Sequence, residues 1–238
     1  MSFDKYIHML ISGGVFFPFV HKLGDPFEGS LPRKTLQRAF EWLGSPKGVE
    51  VFDENIRKQY VVYCWHEMEH ESEAMWRLYA GSGPGVAIRT NFQSLINTIF
   101  QGVESEARDF YGRVEYVDYE TTDIAMLSTM PVFCKRKSFS HEHEVRIARI
   151  VNRDPERSGE FYRLDLDELI HDVVLSPFAE DWALEVVNAV TRKFKESLMK
   201  KVKHSEIENL TTLDEFLAES REPEPGVSLA DILSRSMS

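Results

Sequence analysis

The chain has 238 residues, and its 28 Lys and Arg against 39 Asp and Glu give a formal net charge of −11. With 42% hydrophobic residues a chain of this length can bury a real core, which excludes wholesale disorder. Two cysteines exclude a disulfide framework and a cysteine-built zinc site, and no apolar run approaches the roughly 18 residues of a membrane span. The first residues show no signal peptide, so we expect a cytoplasmic protein without a membrane partner.

In the first half of the chain, predicted helices alternate with aromatic strands. In chain order we predict a helix at 3–11, a strand at 15–20, helices at 35–43 and 53–58, a strand at 60–65, a helix at 71–80, a strand at 85–89 and a helix at 92–100. Gly, Pro and Asp residues between 21 and 34 predict a loop.

In the second half, strands predominate until a final helix. We predict a strand at 110–119, a helix at 123–137 interrupted at Pro131, strands at 142–151, 161–166 and 170–175, and a helix from Ser176 to Val202. This order predicts an α+β fold, in which small mixed, mainly antiparallel sheets are split around a cleft and flanked by helices. A long C-terminal helix precedes an acidic tail.

The negative charge is concentrated at the end of the chain. Residues 204–238 hold eight acids and two bases, whereas 192–203 hold six bases and one acid. We expect a single α+β domain over 1–203 and an acidic tail over 204–238. The tail is expected to be a mobile extension or to contact a partner or the basic segment of the same chain. Because the tail carries most of the excess charge, net charge does not exclude a nucleic-acid acceptor for the body.

A Glu-x-Glu-x-Arg pattern lies in the strand predicted at 142–151. Glu142, Glu144 and Arg146 then share one face, while Val145 and Ile147 share the other. Two carboxylates and a guanidinium on one face of a half-buried strand form a candidate catalytic wall. The alternative is a solvated strand face with a cross-strand salt bridge.

Two further segments supply candidate binding residues. Asp25, Phe27 and Glu28 lie in a rigid Asp-Pro-Phe-Glu-Gly turn, which is either part of a binding site or a turn whose Asp caps its own backbone. Trp76 and Tyr79 share one face of the helix predicted at 71–80, where they either bind a ligand or pack in the core.

Residues 66–70 match the zinc-protease pattern H-E-x-x-H. On a helix, His66 and His70 would bind the metal with Glu67 as general base, and His141 or His143 could supply a third ligand. The predicted strand at 60–65 runs into this segment, however, which favours a polar strand end that leads into a helix.

Several motifs recur in an order that is typical of one family. The segments SFDKYIHMLISGGVFF, GDPFEG, VVYCW, MWRLYAGSGPGVAI, VEY and KRKSFSHEHEVRI resemble the bacterial and phage family catalogued as domain of unknown function 2971. The resemblance covers roughly residues 2–195, and the family name records no established biochemistry.

The motif order is also similar, more distantly, to that of ADP-ribosyltransferases, in which two small sheets clasp NAD. This similarity implies that NAD is a substrate, that Glu144 is the catalytic carboxylate and that Glu142 orients a protein or nucleic-acid acceptor. Trp76 or Tyr79 would stack on the nicotinamide.

Three functions are therefore open at this point. The first is an ADP-ribosyltransferase-like enzyme that acts on a nucleotide-like small molecule in defence or stress. The second is a non-catalytic interaction module, and the third is a zinc-dependent hydrolase. Convergence of Glu142, Glu144, Arg146, Trp76 and Asp25 in one pocket would favour the first.

Overall fold

The structure is a computed structural model that describes residues 1–80, 84–101, 108–126, 130–151 and 157–209. Within these ranges, helices and short strands follow one another irregularly, and the strands form four small open sheets. The predicted α+β class is confirmed. None of the helices in these ranges is long and apolar enough to cross a bilayer.

The helices of the described residues are short. The α-helices are α1 (Phe3–Ser12), α2 (Arg33–Leu43), α3 (Pro46–Gln59), α4 (Glu73–Tyr79), α5 (Phe92–Gln101), α6 (Leu166–Leu169) and α7 (Ala183–Lys195). Single 3₁₀ segments occupy Val20–Lys22, Met130–Phe133, Lys137–Glu142, Glu196–Lys201 and Glu206–Asn209. Local signals set some of these bounds: α3 begins where the Ser45 hydroxyl accepts the Gly48 amide at 3.0 Å.

The strands are also short. They are β1 (Gly14–Pro18), β2 (Tyr60–His66), β3 (Val86–Arg89), β4 (Arg108–Arg113), β5 (Glu115–Val117), β6 (Cys134–Arg136), β7 (Glu144–Ile150), β8 (Gly159–Arg163), β9 (Asp172–Leu175) and β10 (Val202–His204). The sheet orders are β1-β8, β10-β9-β3, β2-β7-β4 and β5-β6. The β10-β9 and β5-β6 pairs are parallel, and the other pairs are antiparallel.

Strand β7 is the centre of the β2-β7-β4 sheet. Cys64 of β2 and Gly112 of β4 both lie opposite its Arg146. Because side chains alternate along a strand, Glu144 and Arg146 share one face of the sheet, and Arg149 belongs to the other. Both faces of β7 are buried from residue 144 to residue 149.

Each face of this sheet packs against its own core. On the Arg149 face the core includes Tyr6, Phe17, Val61, Ile99, Ile147 and Leu169. On the Arg146 face it includes Tyr60, Val62, Val132, Cys134 and Ala148. The buried charges of β7 are therefore surrounded by apolar side chains on both faces.

The helix predicted at 123–137 is wrong. Residues 130–133 form a 3₁₀ turn and 134–136 form strand β6, while 127–129 lie outside the described residues. Cys134 of β6 pairs with Glu115 of β5, and this contact between distant segments overrides the local helical pattern.

The predicted C-terminal helix is wrong at both ends. The Ser176 hydroxyl accepts the Phe178 amide at 3.2 Å, which makes a turn, and α7 begins only at residue 183. After residue 195 a 3₁₀ segment leads into β10, whose Val202 pairs with Val173 of β9. The predicted helix is therefore replaced after residue 195 by a 3₁₀ segment, and only its last residue, Val202, belongs to the strand that pairs with β9.

The first residues of the predicted tail fold against the body. Ser205 is buried and its hydroxyl donates to Glu71 at 2.6 Å, and the Glu206 amide donates to the same carboxylate at 2.7 Å. Residues 210–238 lie outside the described residues. The division of the chain at 203/204 stays a prediction.

Candidate active site

A cluster of buried charges lies on the Arg146 face of the central sheet. The ammonium of Lys135 lies 3.1 Å from Glu28, 2.5 Å from Glu142 and 3.3 Å from Glu144. None of these four side chains is more than 7% exposed. One ammonium thus holds three carboxylates that come from two separate segments of the chain.

Arg146 is the second cation of the cluster and is completely buried. Its guanidinium donates to Glu28 and to Glu144, each at 2.6 Å, and to the backbone oxygen of Val132 at 2.7 Å. Glu28 and Glu144 therefore bridge both cations. We call Glu28, Lys135, Glu142, Glu144 and Arg146 the carboxylate cluster.

The Asp-Pro-Phe-Glu-Gly turn carries Glu28 into the cluster. Asp25 is buried; it accepts the amide of Phe27 at 3.1 Å and forms an ion pair with Arg136 at 3.0 Å. Gly29 follows with a positive φ of 73°, which a side chain would disfavour. Asp25 thus stabilises the turn and links it to Arg136 of β6, next to Lys135. It caps the backbone of the turn and is not free to bind a ligand.

Glu142 does not lie on the strand as predicted. It ends the 3₁₀ segment Lys137–Glu142, and His143 then takes a left-handed conformation with a φ of 40° before β7 begins. The reversal at His143 brings Glu142 to the same ammonium as Glu144. The prediction of one shared strand face is right for Glu144 and Arg146 only.

The electrostatics of the cluster keep Glu144 ionised. Burial alone would raise the pKa of Glu144, but the charge and hydrogen bond of Arg146 outweigh it and hold that pKa below its ordinary value of 4.5. Burial likewise opposes the charge on Lys135, whereas Glu28 and Glu142 raise its pKa above the ordinary value. Three carboxylates against two cations leave an excess of negative charge.

Half-exposed aromatic side chains border the cluster. The Tyr79 hydroxyl donates to Glu142 at 2.6 Å, and Tyr79 itself is half exposed. Burial and the Glu142 carboxylate both raise the pKa of Tyr79. The ring of Phe139 lies 4.8 Å from the Lys135 ammonium, and that of Phe27 lies 4.9 Å from the Arg136 guanidinium. These rings connect the buried carboxylates to the surface.

Cys64 indicates that solvent reaches the same face. It lies opposite Arg146 in the sheet and is an exposed residue. Burial nevertheless raises the pKa of its thiol well above the ordinary value, and the neighbouring Glu144 carboxylate adds to that shift. Cys64 therefore lies beside Glu144 on β2, which is an edge strand of the sheet.

Trp76 does not join the cluster. Its ring is buried with Ala80 and Val174, and its indole N–H donates to Glu71 at 2.8 Å. Of the two aromatic residues predicted on α4, only Tyr79 reaches the carboxylates, because Trp76 instead packs beneath the C-terminal segment.

The helical arrangement required by the zinc-hydrolase hypothesis is absent. His66 is the last residue of β2, His70 follows in a bend, and His66 Nδ1 donates to the backbone oxygen of Glu142 at 2.5 Å. Glu67 pairs with Arg113 instead of facing a metal site. In the part of the chain that the structure describes, no three His, Cys, Asp or Glu side chains could together hold a metal ion.

Sequence reasoning missed Lys135, Cys64 and Tyr116. Lys135 fell in the erroneous helix, and Cys64 had no recognisable partner in the sequence. The Tyr116 hydroxyl accepts the Glu144 amide at 2.8 Å from the neighbouring β5 strand. Only the alternation of residues 144–146 pointed to this face of the sheet.

Residues 75–147 match the model of a family described as Protein of unknown function (DUF2971). The resemblance inferred from the motifs is confirmed over this segment. The DUF2971 match includes Tyr79, Lys135, Glu142, Glu144 and Arg146, so most of the carboxylate cluster lies within it, and residues 25–28 lie outside. No curated protein and no solved structure matches the chain. The similarity to ADP-ribosyltransferases stays a prediction.

Proposed function

We propose that this protein is an ADP-ribosyltransferase-like enzyme that uses NAD as a substrate and acts at Glu144. The observation that carries the proposal is an ionised, rigidly held carboxylate in a cluster with excess negative charge, beside the exposed residue Cys64. Cleavage of a ribosyl bond develops positive charge on the sugar. A fixed negative charge stabilises such a transition state, whereas it would oppose an oxyanion.

Each residue of the cluster has a role in this proposal. Glu144 faces the ribosyl carbon as the bond to nicotinamide breaks, and nicotinamide leaves with the bonding electron pair. Glu142 orients the acceptor hydroxyl and takes its proton as the new bond to the ribosyl carbon forms. Arg146 and Lys135 are positioning residues, because they hold the carboxylates without facing the substrate.

The border of the carboxylate cluster suits a nucleotide. Tyr79, Phe27 and Phe139 offer rings on which nicotinamide or adenine can stack, and Arg136 is 40% exposed beside two of these rings. Its guanidinium could bind a phosphate, although it already holds Asp25. Trp76 is left out because it packs elsewhere.

NAD turnover by the wild type and Glu144→Gln tests the proposal. We expect nicotinamide release by the wild type and a loss of about 10²–10³-fold in Glu144→Gln, since the amide keeps the shape and removes the charge. Glu120→Gln is the matched control, because this exposed glutamate lies outside the cluster. Thermal unfolding of each variant separates loss of activity from loss of the fold.

The outcome that contradicts the proposal is specific. The proposal is wrong if the protein neither binds NAD nor releases nicotinamide when DNA, RNA and lysate proteins are all supplied as acceptors. Equal losses in Glu144→Gln and Glu120→Gln would remove Glu144 from the mechanism. A role in defence or stress and a cytoplasmic location rest on the resemblance and the composition alone.

A non-catalytic interaction module is the second candidate. The observation that favours it is the complete ion pairing of the carboxylate cluster, an arrangement that also serves to fix one fold. The binding surface would then be the Asp25 turn with Phe27, which is 41% exposed. This candidate predicts that Glu144→Gln lowers the stability of the fold and that neither the wild type nor the variant consumes NAD.

A further inference from the structure

Strand β4 is an edge of the β2-β7-β4 sheet. Just after β4, the Val114 amide donates at 2.8 Å to the backbone oxygen of Glu144, the first residue of β7. In an antiparallel pair every second residue bonds to the partner strand, so Phe110 and Gly112 bond to β7 in the same way. The residues between them turn their amide and carbonyl groups away from β7.

Three residues of β4 therefore offer backbone groups on its outer side, namely Asp109, Tyr111 and Arg113. Within the described ranges, no residue is hydrogen-bonded to the amide or carbonyl group of any of the three. An open row of such groups is a template for the addition of another extended strand. We call residues 109–113 the β4 edge and take it as a candidate interaction surface.

Exposed aromatic rings lie beside the β4 edge. The ring centroid of Tyr111 is 5.5 Å from that of Phe92 and 5.9 Å from that of Phe100, and both phenylalanines belong to α5. Each of the three residues is at least 37% exposed. Aromatic side chains bury a large apolar area when they are covered, and this favours association. A strand that pairs with β4 would approach these rings.

The charges of the β4 edge are self-complementary. Asp109 and Arg113 lie on the same face of the strand, at equal distances in sequence from Tyr111. Two copies of β4 that pair antiparallel about Tyr111 place Asp109 of each copy opposite Arg113 of the other, and the same register pairs all the outward backbone groups. Since Asp109 already holds Arg149 and Arg113 already pairs with Glu67, the new contact joins two existing ion pairs.

We propose that the β4 edge is a dimerisation surface, on which a second copy of this chain pairs antiparallel about a two-fold axis at Tyr111. The two three-stranded sheets then join into one six-stranded sheet, and the rings of Phe92, Phe100 and Tyr111 meet their counterparts across the axis. The self-complementary charges favour a second copy over an unrelated extended peptide. The proposal does not depend on the proposed NAD chemistry.

Sedimentation velocity of the full chain between about 1 and about 200 μM measures the association. We expect a reversible dimer with a dissociation constant on the order of 10 μM, because one strand pair and a few rings make a small interface. Arg113→Glu places two carboxylates opposite each other at both ends of the strand pair, so it should weaken the dimer about tenfold. Arg33→Glu is the matched control, because Arg33 on α2 is also exposed and also pairs with one surface glutamate.

Amide hydrogen exchange followed by NMR locates the interface in the wild type. Between about 20 and about 200 μM protein, exchange at Asp109, Tyr111 and Arg113 should slow about threefold, since these amides gain partners in the dimer. The amides of Phe110 and Gly112 already bond to β7 and should exchange equally slowly at both concentrations. The proposal is overturned by a protein that stays monomeric at about 200 μM, by a dimer in which the three outward amides keep their exchange rates, or by equal effects of the two arginine variants.

Discussion

Replacing Arg146 by Met tests how far the carboxylate cluster holds the fold together. Met replaces the aliphatic part of the side chain but removes the donors to Glu28, Glu144 and the Val132 backbone oxygen. Removal of one partner from a buried ion pair typically costs about 3–5 kcal/mol. We expect the free energy of unfolding to fall by about this amount near pH 7, a large part of a total of roughly 5–15 kcal/mol.

The loss should depend on pH. In the wild type the pKa of Glu144 is lowered, so its ionisation stabilises the fold above the ordinary value of 4.5, and this contribution disappears as the pH falls through the folded-state pKa. Without Arg146, burial acts with less opposition and raises that pKa, so the variant loses stability as the pH rises. The difference between the two proteins should therefore shrink from about pH 7 to about pH 4.

Urea unfolding followed by tryptophan fluorescence measures both the loss of unfolding free energy and its dependence on pH. Arg33→Met is the matched control, because the ion pair of Arg33 with Glu120 is on the surface and is worth about 0–1 kcal/mol. Adding Glu144→Gln to Arg146→Met should restore part of the loss, since it removes a carboxylate that has lost a partner. A loss below about 1 kcal/mol, or one that is the same at both pH values, would refute the reasoning.

Two further predictions concern the turn and the thiols. Gly29→Ala should destabilise the protein more than Gly44→Ala in thermal unfolding: both residues have a positive φ, worth about 1–2 kcal/mol, but a Cβ at residue 29 would also lie 2.5 Å from Val20. Equal losses would show that the clash does not matter. In the folded protein, iodoacetamide should label Cys64 before Cys134, because Cys134 is buried whereas Cys64 is exposed. Cys64 should still react more slowly than a peptide thiol, since its own pKa is raised; mass spectrometry that finds Cys134 labelled first would contradict this assignment.

The sequence predicted the position of site residues correctly where a single strand or a single turn determines that position. Alternation along residues 144–146 put Glu144 and Arg146 on one face, and the Asp-Pro-Phe-Glu-Gly pattern predicted a turn. Neither pattern showed that both faces of β7 are buried, because that burial comes from two cores built by residues that are distant in the sequence. The contact between Glu28 and Arg146 spans 118 positions and leaves no local trace.

Lys135 shows the limit most clearly. Its segment has the composition of a helix, and only pairing of β6 with β5 makes it a strand and points Lys135 towards Glu28, Glu142 and Glu144. Because a distant strand sets the conformation of Lys135, the residues next to it in the sequence do not predict that conformation.

The left-handed conformation of His143 has a consequence for the Glu-x-Glu motif. Two carboxylates separated by one residue would normally meet a cation side by side on a single strand, with any residue between them. Here the backbone reverses at the middle residue, so that residue decides whether the two carboxylates meet at all. A β-branched residue would resist this conformation, whereas Gly or Asn would accept it. In other chains with the same motif, the identity of the middle residue therefore indicates whether both carboxylates can share one lysine.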